Sequence, residues 1–348
     1  MSSIDYKASG VNIEAGNETV RRIKQAVETT FSSQVLTPIG GFGAMYDLQS
    51  IIADYQHPVL VQSIDGVGTK MIIANMMQKF DTIGIDLVSA TTNDIVVLGA
   101  KPLTLLDYIA NDRLKPETIE QIIQGMVLAC REHSISLVGG EMAEMPGVYF
   151  PGELDLVGVI TGVVEKEKAI LGQTIVPGDL IAAFPSSGLH TNGYSLARKL
   201  LFDIEGYPVN SRFQDFSHTI GEELLLPHIN YNKPVSSLLK KNIPIKGMAH
   251  ITGGGLIDNI PRILPAGCAA EIKKGKLPEY PIFNLLQKLG NLEDEQMYQT
   301  FNMGAGLVLF FAPNELSSIQ EALLPFPDFP LYEIGRVIAS ERKKVILL

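Results

Sequence analysis

Acids next to glycines are the most informative residues of this chain. Asp65-Gly66-Val67-Gly68-Thr69-Lys70 follows the apolar run 58–64 and precedes a helical pattern reaching about Phe80. Glycines there let a phosphate approach the backbone, and the free N–H groups of a helix start favour negative charge. Lys70 adds a point charge, and Asp65 suits a magnesium ion bridging phosphates. A plain strand-to-helix turn has the same pattern. The segment is not a Walker A loop, and no Gly-x-Gly-x-x-Gly fingerprint occurs in the chain. Asp94 precedes Ile95-Val96-Val97-Leu98, an apolar setting in which an ionised carboxylate needs a partner or a metal. Asp107 and Glu141 fall at the ends of expected strands, where ligands of α/β sheets gather. Asp65, Asp94, Asp107 and Glu141 are therefore candidate oxygen ligands for a hard cation, while each alone also reads as a cap or turn acid.

The second half offers neutral donors instead. Ser186-Ser187-Gly188-Leu189-His190-Thr191-Asn192-Gly193 follows a strand pattern and suits a phosphate or sugar. His190 is a candidate general acid or base, or a histidine that only braces its loop. His250 precedes Thr252-Gly253-Gly254-Gly255 and a helix, and the triple glycine permits close ligand approach. A serine hydrolase is excluded because Gly-x-Ser-x-Gly is absent, and no paired Cys or His spacing suggests zinc.

These loops need strands and helices to hold them. Helical spacing runs over residues 16–30, 70–80, 82–98 and 116–133, the last with Pro116 just inside its start. Strand patterns cover 58–64, 102–108, 135–138 and 154–164. Glu165-Lys166-Glu167-Lys168, followed by Pro177-Gly178-Asp179, marks the expected boundary between domains 1–168 and 169–348. Beyond it, strands are expected near 180–184, 245–251, 305–311, 331–338 and 343–347. Helices are expected near 193–203, 219–226, 233–241, 256–263 and 281–290. Two mixed α/β (α+β) domains result.

Composition narrows the partners. A chain of 348 residues with 28 basic and 38 acidic side chains carries −10, and it has no basic stripe for nucleic acid. No apolar run is long enough to span a membrane, and the polar start lacks a signal-peptide core. Cys130 and Cys268 are too few for a disulfide framework, which points to a cytoplasmic protein.

The motifs taken together resemble the aminoimidazole ribonucleotide (AIR) synthetase family. Asp94-Ile95-Val96-Val97-Leu98-Gly99-Ala100-Lys101-Pro102 matches the Asp-x4-Gly-Ala-x-Pro signature of its superfamily. Family-like segments follow in order: Tyr6 to Val11, Gly40-Gly41-Phe42-Gly43-Ala44, Asp65 to Lys70, and Val138 to Glu141. Further ones are Ser186 to Leu196, His250 to Gly255 and Met297 to Gly304. Asn12 and Met142 depart from the usual Asp and Thr. Selenophosphate synthetase, another member of the superfamily, usually carries a reactive residue near its N-terminus, and this chain has no Cys before Cys130. A nucleotide-binding protein without catalysis would be expected to lose the acids or glycine loops, which are all present.

The resemblance implies an ATP-dependent ligase of purine biosynthesis. It would close formylglycinamidine ribonucleotide to 5-aminoimidazole ribonucleotide, with ATP and Mg²⁺. Gly40, Gly41, Phe42, Gly43, Asp65, Gly66, Gly68, Thr69, Lys70 and Asp107 are then expected at ATP. Gly10, Val11, Thr191, Asn192, His250, Thr252 and Gly253 are expected at the ribonucleotide. Asp94, Lys70 and His190 are the expected catalytic groups, and Asp65, Asp94, Asp107 and Glu141 the metal acids. The resemblance also implies a homodimer formed through N-terminal-domain sheets, with the active site between the domains.

Overall fold

The computed structural model describes residues 12–348. They form a mixed α/β protein of two compact units, one of residues up to Ile95 plus Ala100–Glu167, the other of Val96–Gly99 plus Lys168–Leu348. The short segment Val96–Gly99 was not separable by sequence pattern. Val96 is 2% exposed and belongs to the second unit's core with Phe184, Val235 and Leu309.

The first unit is built on a four-stranded sheet of β1 (Pro58–Gly66), β2 (Lys101–Asn111), β3 (Ser136–Glu144) and β4 (Leu154–Glu165), in the order β1-β4-β2-β3. β4 runs antiparallel to both neighbours, and β2 pairs with β3 in parallel. Helix Ile83–Val96 lies on one face because β4 carries glycines there. A Cβ on Gly158 would sit 3.0 Å from the Leu87 side chain, and one on Gly162 would sit 2.7 Å from Ile95. The same helix meets Pro116–His133 at Gly84, where a Cβ would fall 2.0 Å from the Ile122 carbonyl oxygen. Helix Ile13–Glu28 is capped by Asn12, whose side chain accepts from the Ala15 N–H. The opposite sheet face is apolar and open: Leu60 is 57% exposed, Ile64 67% and Leu106 43%.

The second unit holds a six-stranded sheet. Its strands are β5 (Leu180–Pro185), β6 (Ile245–His250), β7 (Cys268–Ile272), β8 (Ala305–Phe311), β9 (Tyr332–Ala339) and β10 (Val345–Leu347), in the order β10-β7-β9-β5-β8-β6. All pairs are antiparallel except β10 with β7. Every residue of β8 is buried, as a continuous apolar strand inside a sheet requires. The helix expected over 193–203 is α-helical only over Tyr194–Arg198 and continues as a π-helix, Lys199–Ile204. Strand β7 and helices Asp294–Thr300 and Leu316–Leu323 were not anticipated. They are short, and Cys-Ala-Ala-Glu-Ile carries little of the β-branched signature of a strand.

Candidate functional site

In the first unit, strand register gathers part of the acidic set. Asp65 on β1 pairs with Gly158 on β4, which pairs with Asp107 on β2, which pairs with Gly140 on β3. Directly paired residues share a face, so both aspartates project to the helix-covered side across a glycine row. A Cβ at Gly140 would fall 2.5 Å from Asp107 Oδ1, so the missing side chain at Gly140 makes room for that carboxyl. The Asp107 residue is part-exposed, but surrounding protein atoms close in its carboxyl, and burial pushes its pKa up to about 7. The Cys130 thiol is buried; burial and, after it, the Asp107 charge push its pKa up.

Asp94 accepts a hydrogen bond from Ser63 Oγ at 2.9 Å, two residues along β1 from Asp65 and on the same face. This places Asp94 on the side of the sheet that carries the other two aspartates. Glu141 does not join them. It follows Gly140 on β3, so the strand's period of two turns it to the opposite, exposed face. Among the described residues, no three acids, histidines or cysteines converge closely enough to form a ready metal cluster. Of the four expected acids the structure brings Asp65, Asp94 and Asp107 to one side of the sheet and leaves Glu141 on the other.

The phosphate-cradle segment is a tight turn between β1 and helix Lys70–Met77. Gly68 has φ +61°, a conformation that glycine adopts without strain, and the Asp65 carboxylate accepts from the Gly66 N–H at 2.7 Å. Lys70 differs from expectation. Its ammonium is fully buried and lies 2.8 Å from Asp86 Oδ2, with Asp86 equally buried. Burial lowers its pKa, against the opposing pull of Asp86. The lysine therefore holds helix Lys70–Met77 to helix Ile83–Val96 instead of presenting its charge at the surface. The sequence missed Asp86 because an acid sixteen residues away carries no local pairing signal. The glycine loop at 40–44 is exposed, and a β-bridge between Val35 and Tyr46 closes it at its base. Gly10 and Val11 lie outside the described residues.

In the second unit, Ser186–Gly193 is a heavily braced loop. Ser186 Oγ donates to the Gly188 carbonyl at 2.9 Å, and Asn302 Nδ2 donates to the same oxygen at 2.8 Å. The Ser187 N–H donates to His190 Nε2 at 3.1 Å. His190 is 1% exposed and has φ +61°, which is costly for a non-glycine residue and is held by these contacts. Tyr194 Oη donates to the His190 carbonyl at 3.1 Å and anchors the same turn. These contacts hold the loop at His190. Thr191 and Asn192 follow it with partial exposure. Gly253 adjoins them: a Cβ there would sit 3.4 Å from Asn192 Oδ1. Asn259 donates to the carbonyls of Gly253 at 3.1 Å and Gly255 at 2.8 Å, fixing the triple-glycine turn. Thr191, Asn192, Thr252 and Gly253 therefore lie in two adjoining, rigidified loops, and His250 is the last residue of β6, just before the second. His228, Tyr231 and Asn259, which the sequence did not single out, belong to the same surroundings.

Comparison with known proteins identifies the family. The AIR synthase related protein, N-terminal domain, matches residues 49–164, and the corresponding C-terminal domain matches residues 176–348. The chain belongs to the AIR synthase family. It is 48% identical to the phosphoribosylformylglycinamidine cyclo-ligase of Carboxydothermus hydrogenoformans over 99% of both chains. It is 49% identical to that of Trichlorobacter lovleyi over 99% of this chain and 98% of the other. The protein is an AIR synthase enzyme. It closes formylglycinamidine ribonucleotide to 5-aminoimidazole ribonucleotide in purine biosynthesis, with ATP converted to ADP and phosphate. Among solved structures, the fold resembles the hydrogenase maturation protein HypE in complex with ATP, with TM-score 0.67 and 18% identity over 97% of this chain and 92% of that one. It also resembles thiamine-monophosphate kinase from Stenotrophomonas maltophilia, with TM-score 0.66 and 17% identity over 93% of this chain and 95% of that one. Among the described residues, no helix is long and apolar enough to cross a membrane.

Proposed function

We propose that the two units divide the substrates of this ring closure, the first taking Mg-ATP and the second the ribonucleotide. The observation that carries this reading is the Asp107 carboxyl, closed in beside Gly140 and raised to about 7 by burial alone. A carboxylate kept at that cost suits a cation. One or two carboxylates from the row Asp65, Asp94 and Asp107 would hold Mg²⁺, which would supply charge neutralisation for the triphosphate. The Gly66–Thr69 turn and the glycine loop with Gly40, Gly41, Phe42 and Gly43 let the phosphates approach the backbone. Lys70 acts through its pairing with Asp86, which fixes the helix behind that turn.

The second unit supplies neutral donors. Thr191, Asn192, His250, Thr252 and the Gly253 backbone suit a ribose and one phosphate, where orientation matters more than charge. In the reaction the formyl oxygen attacks the γ-phosphorus and ADP leaves. An internal nitrogen then attacks the activated carbon, the C–O bond breaks, and phosphate leaves with closure of the five-membered ring. Positioning alone supplies about 7–11 kcal/mol in well-oriented cases, so no covalent enzyme intermediate is needed. That fits a protein whose two cysteines are both buried free thiols, a state suited to the cytoplasm.

The open apolar face formed around Leu60, Ile64 and Leu106 supports a homodimer through this sheet. The division of substrates is tested with His190→Ala and Asn192→Ala. Both should raise KM for the ribonucleotide and leave KM for ATP nearly unchanged. Loss of ATP binding with intact ribonucleotide binding would reverse the assignment.

A further inference from the structure

Asn302 ties the turn that precedes β8 to the Ser186–Gly193 loop. It is 3% exposed, and its amide has one possible orientation. The Gly304 N–H can only donate, and it meets Oδ1 at 2.9 Å. The Gly188 carbonyl oxygen can only accept, and it lies 2.8 Å from Nδ2. Exchanging the two ends of the amide would set N–H against N–H on one side and oxygen against oxygen on the other. Ser186 Oγ, 3.0 Å from the same Oδ1, shares its single proton between that oxygen and the Gly188 carbonyl.

The Gly188 carbonyl is thereby held by two side chains, and the peptide it belongs to is turned with it. Among the described residues no peptide bond is cis. In a planar trans peptide the N–H of the next residue points opposite to the carbonyl. The Leu189 N–H is therefore directed away from Asn302, and among the described residues it has no acceptor. The N–H groups of Ser187 and Gly188, by contrast, meet His190 Nε2 and Ser186 Oγ. Leu189 is 5% exposed, and a backbone donor inside a fold is costly unless something accepts from it. Gly188 supports the same reading. It has φ +125°, and a Cβ there would meet nothing within 4 Å, so the backbone's turn and not a lack of room requires glycine.

We propose that Asn302 is a positioning residue for the ribonucleotide. By clamping the Gly188 carbonyl it presents the Leu189 N–H to an oxygen of that substrate, in the loop that also carries Thr191 and Asn192. A donor held in advance by the fold loses little freedom when the substrate arrives. The inference rests on the reading of the second unit as the ribonucleotide's.

Asn302→Asp keeps the size of the side chain and the oxygen that faces Gly304, but when ionised it sets a second oxygen against the Gly188 carbonyl. At alkaline pH its KM for the ribonucleotide should rise about tenfold, the worth of one such hydrogen bond, with KM for ATP unchanged. At mildly acidic pH the protonated carboxyl of that variant donates where the amide did, so the loss should shrink. Asn302→Ala lacks the donor at every pH and should show the loss throughout. Tyr280, whose hydroxyl donates to the Ser186 carbonyl, and His190, on the Ser187 N–H, are titratable groups close to the clamp. Both are common to parent and variants and cancel in the ratio. In ¹⁵N–¹H spectra of the full-length parent, the Leu189 amide proton should move downfield when the ribonucleotide is added. A ribonucleotide KM that both substitutions leave unchanged overturns the proposal, and so does an Asn302→Asp loss that is the same at both pH values. A Leu189 amide that stays unmoved while the amides of Thr191 and Asn192 respond overturns it too, with the reading of the second unit left standing. If no amide of 186–193 or 250–255 responds to the ribonucleotide, that reading fails and the proposal falls with it.

Discussion

Replacing Asp107 with Asn should make the Mg²⁺-free enzyme more stable at alkaline pH while lowering its ATP turnover. The ordinary aspartate value of 3.8 is raised here to about 7, with burial as the cause. Between those values the folded protein keeps a proton that the unfolded chain has released, so stability falls as pH rises through this window. Above about pH 7 the whole cost is present. From about pH 5 to the folded value is about two pKa units at about 1.4 kcal/mol each, or about 3 kcal/mol. The residue retains some exposure, so water makes this an upper bound. Denaturant unfolding of both proteins at about pH 5 and about pH 8 isolates the term, because groups common to both cancel in the difference. The stability of Asp107→Asn relative to the parent should improve by about 1–3 kcal/mol between the two pH values. Added Mg²⁺ with ATP should stabilise the parent at the higher pH more than the variant. A relative stability that does not change with pH would refute both the enclosure of this carboxyl and its readiness for a cation.

Other outcomes follow from the same geometry. Lys70→Met removes the cation that pairs with the buried Asp86 and should cost about 3–5 kcal/mol in denaturant unfolding, whereas Lys70→Met with Asp86→Leu should recover most of it. A Lys70→Met enzyme of normal stability that no longer binds ATP would return the lysine to the phosphates. Asp94→Asn should cut Mg-dependent ADP release strongly, and ADP release at the parent's rate would remove Asp94 from the site. Sedimentation should report about twice the chain mass, and Ile64→Asp with Leu60→Asp on the open face should yield monomers. A dimer that survives both charges uses another surface.

How much of this was legible depended on the range of the signal. Helix Pro116–His133 was readable to the residue because an amphipathic period and a proline at its start agree locally. The loops were readable because glycine clusters mark close backbone approach. Asp65 and Asp107 were named as strand-end acids, but β2 runs on to Asn111, so Asp107 lies inside its strand, and the alignment of the two in one row required the register β1-β4-β2-β3, which no local pattern encodes. The place of Glu141 outside that row was hidden for the same reason. It stands one residue from Gly140, and one residue in a strand reverses the face. The Lys70–Asp86 pair and the His228–His250 pair are long-range contacts whose members look ordinary in sequence.

Glycines inside strands connect the two units' chemistry more closely than the loop glycines do. Gly140 leaves room on β3 for the Asp107 carboxyl. Gly306 does the same on β8, where a Cβ would fall 1.8 Å from the Tyr231 hydroxyl and 2.7 Å from His190 Cε1. In the middle of a strand glycine weakens the sheet, so its place needs a reason. In both units the reason is a functional-loop or acidic side chain laid flat against the strand. Tyr231 Oη then reaches the Pro185 carbonyl at 2.6 Å, immediately before the Ser186–Gly193 loop begins. The sheets therefore carry polar groups packed into their own surfaces, and the rigidity of the backbone is passed directly to an aspartate in one unit and to His190 and Tyr231 in the other. Ring closure by proximity needs that kind of support, because a substrate held by few charges is positioned only as well as the side chains that touch it.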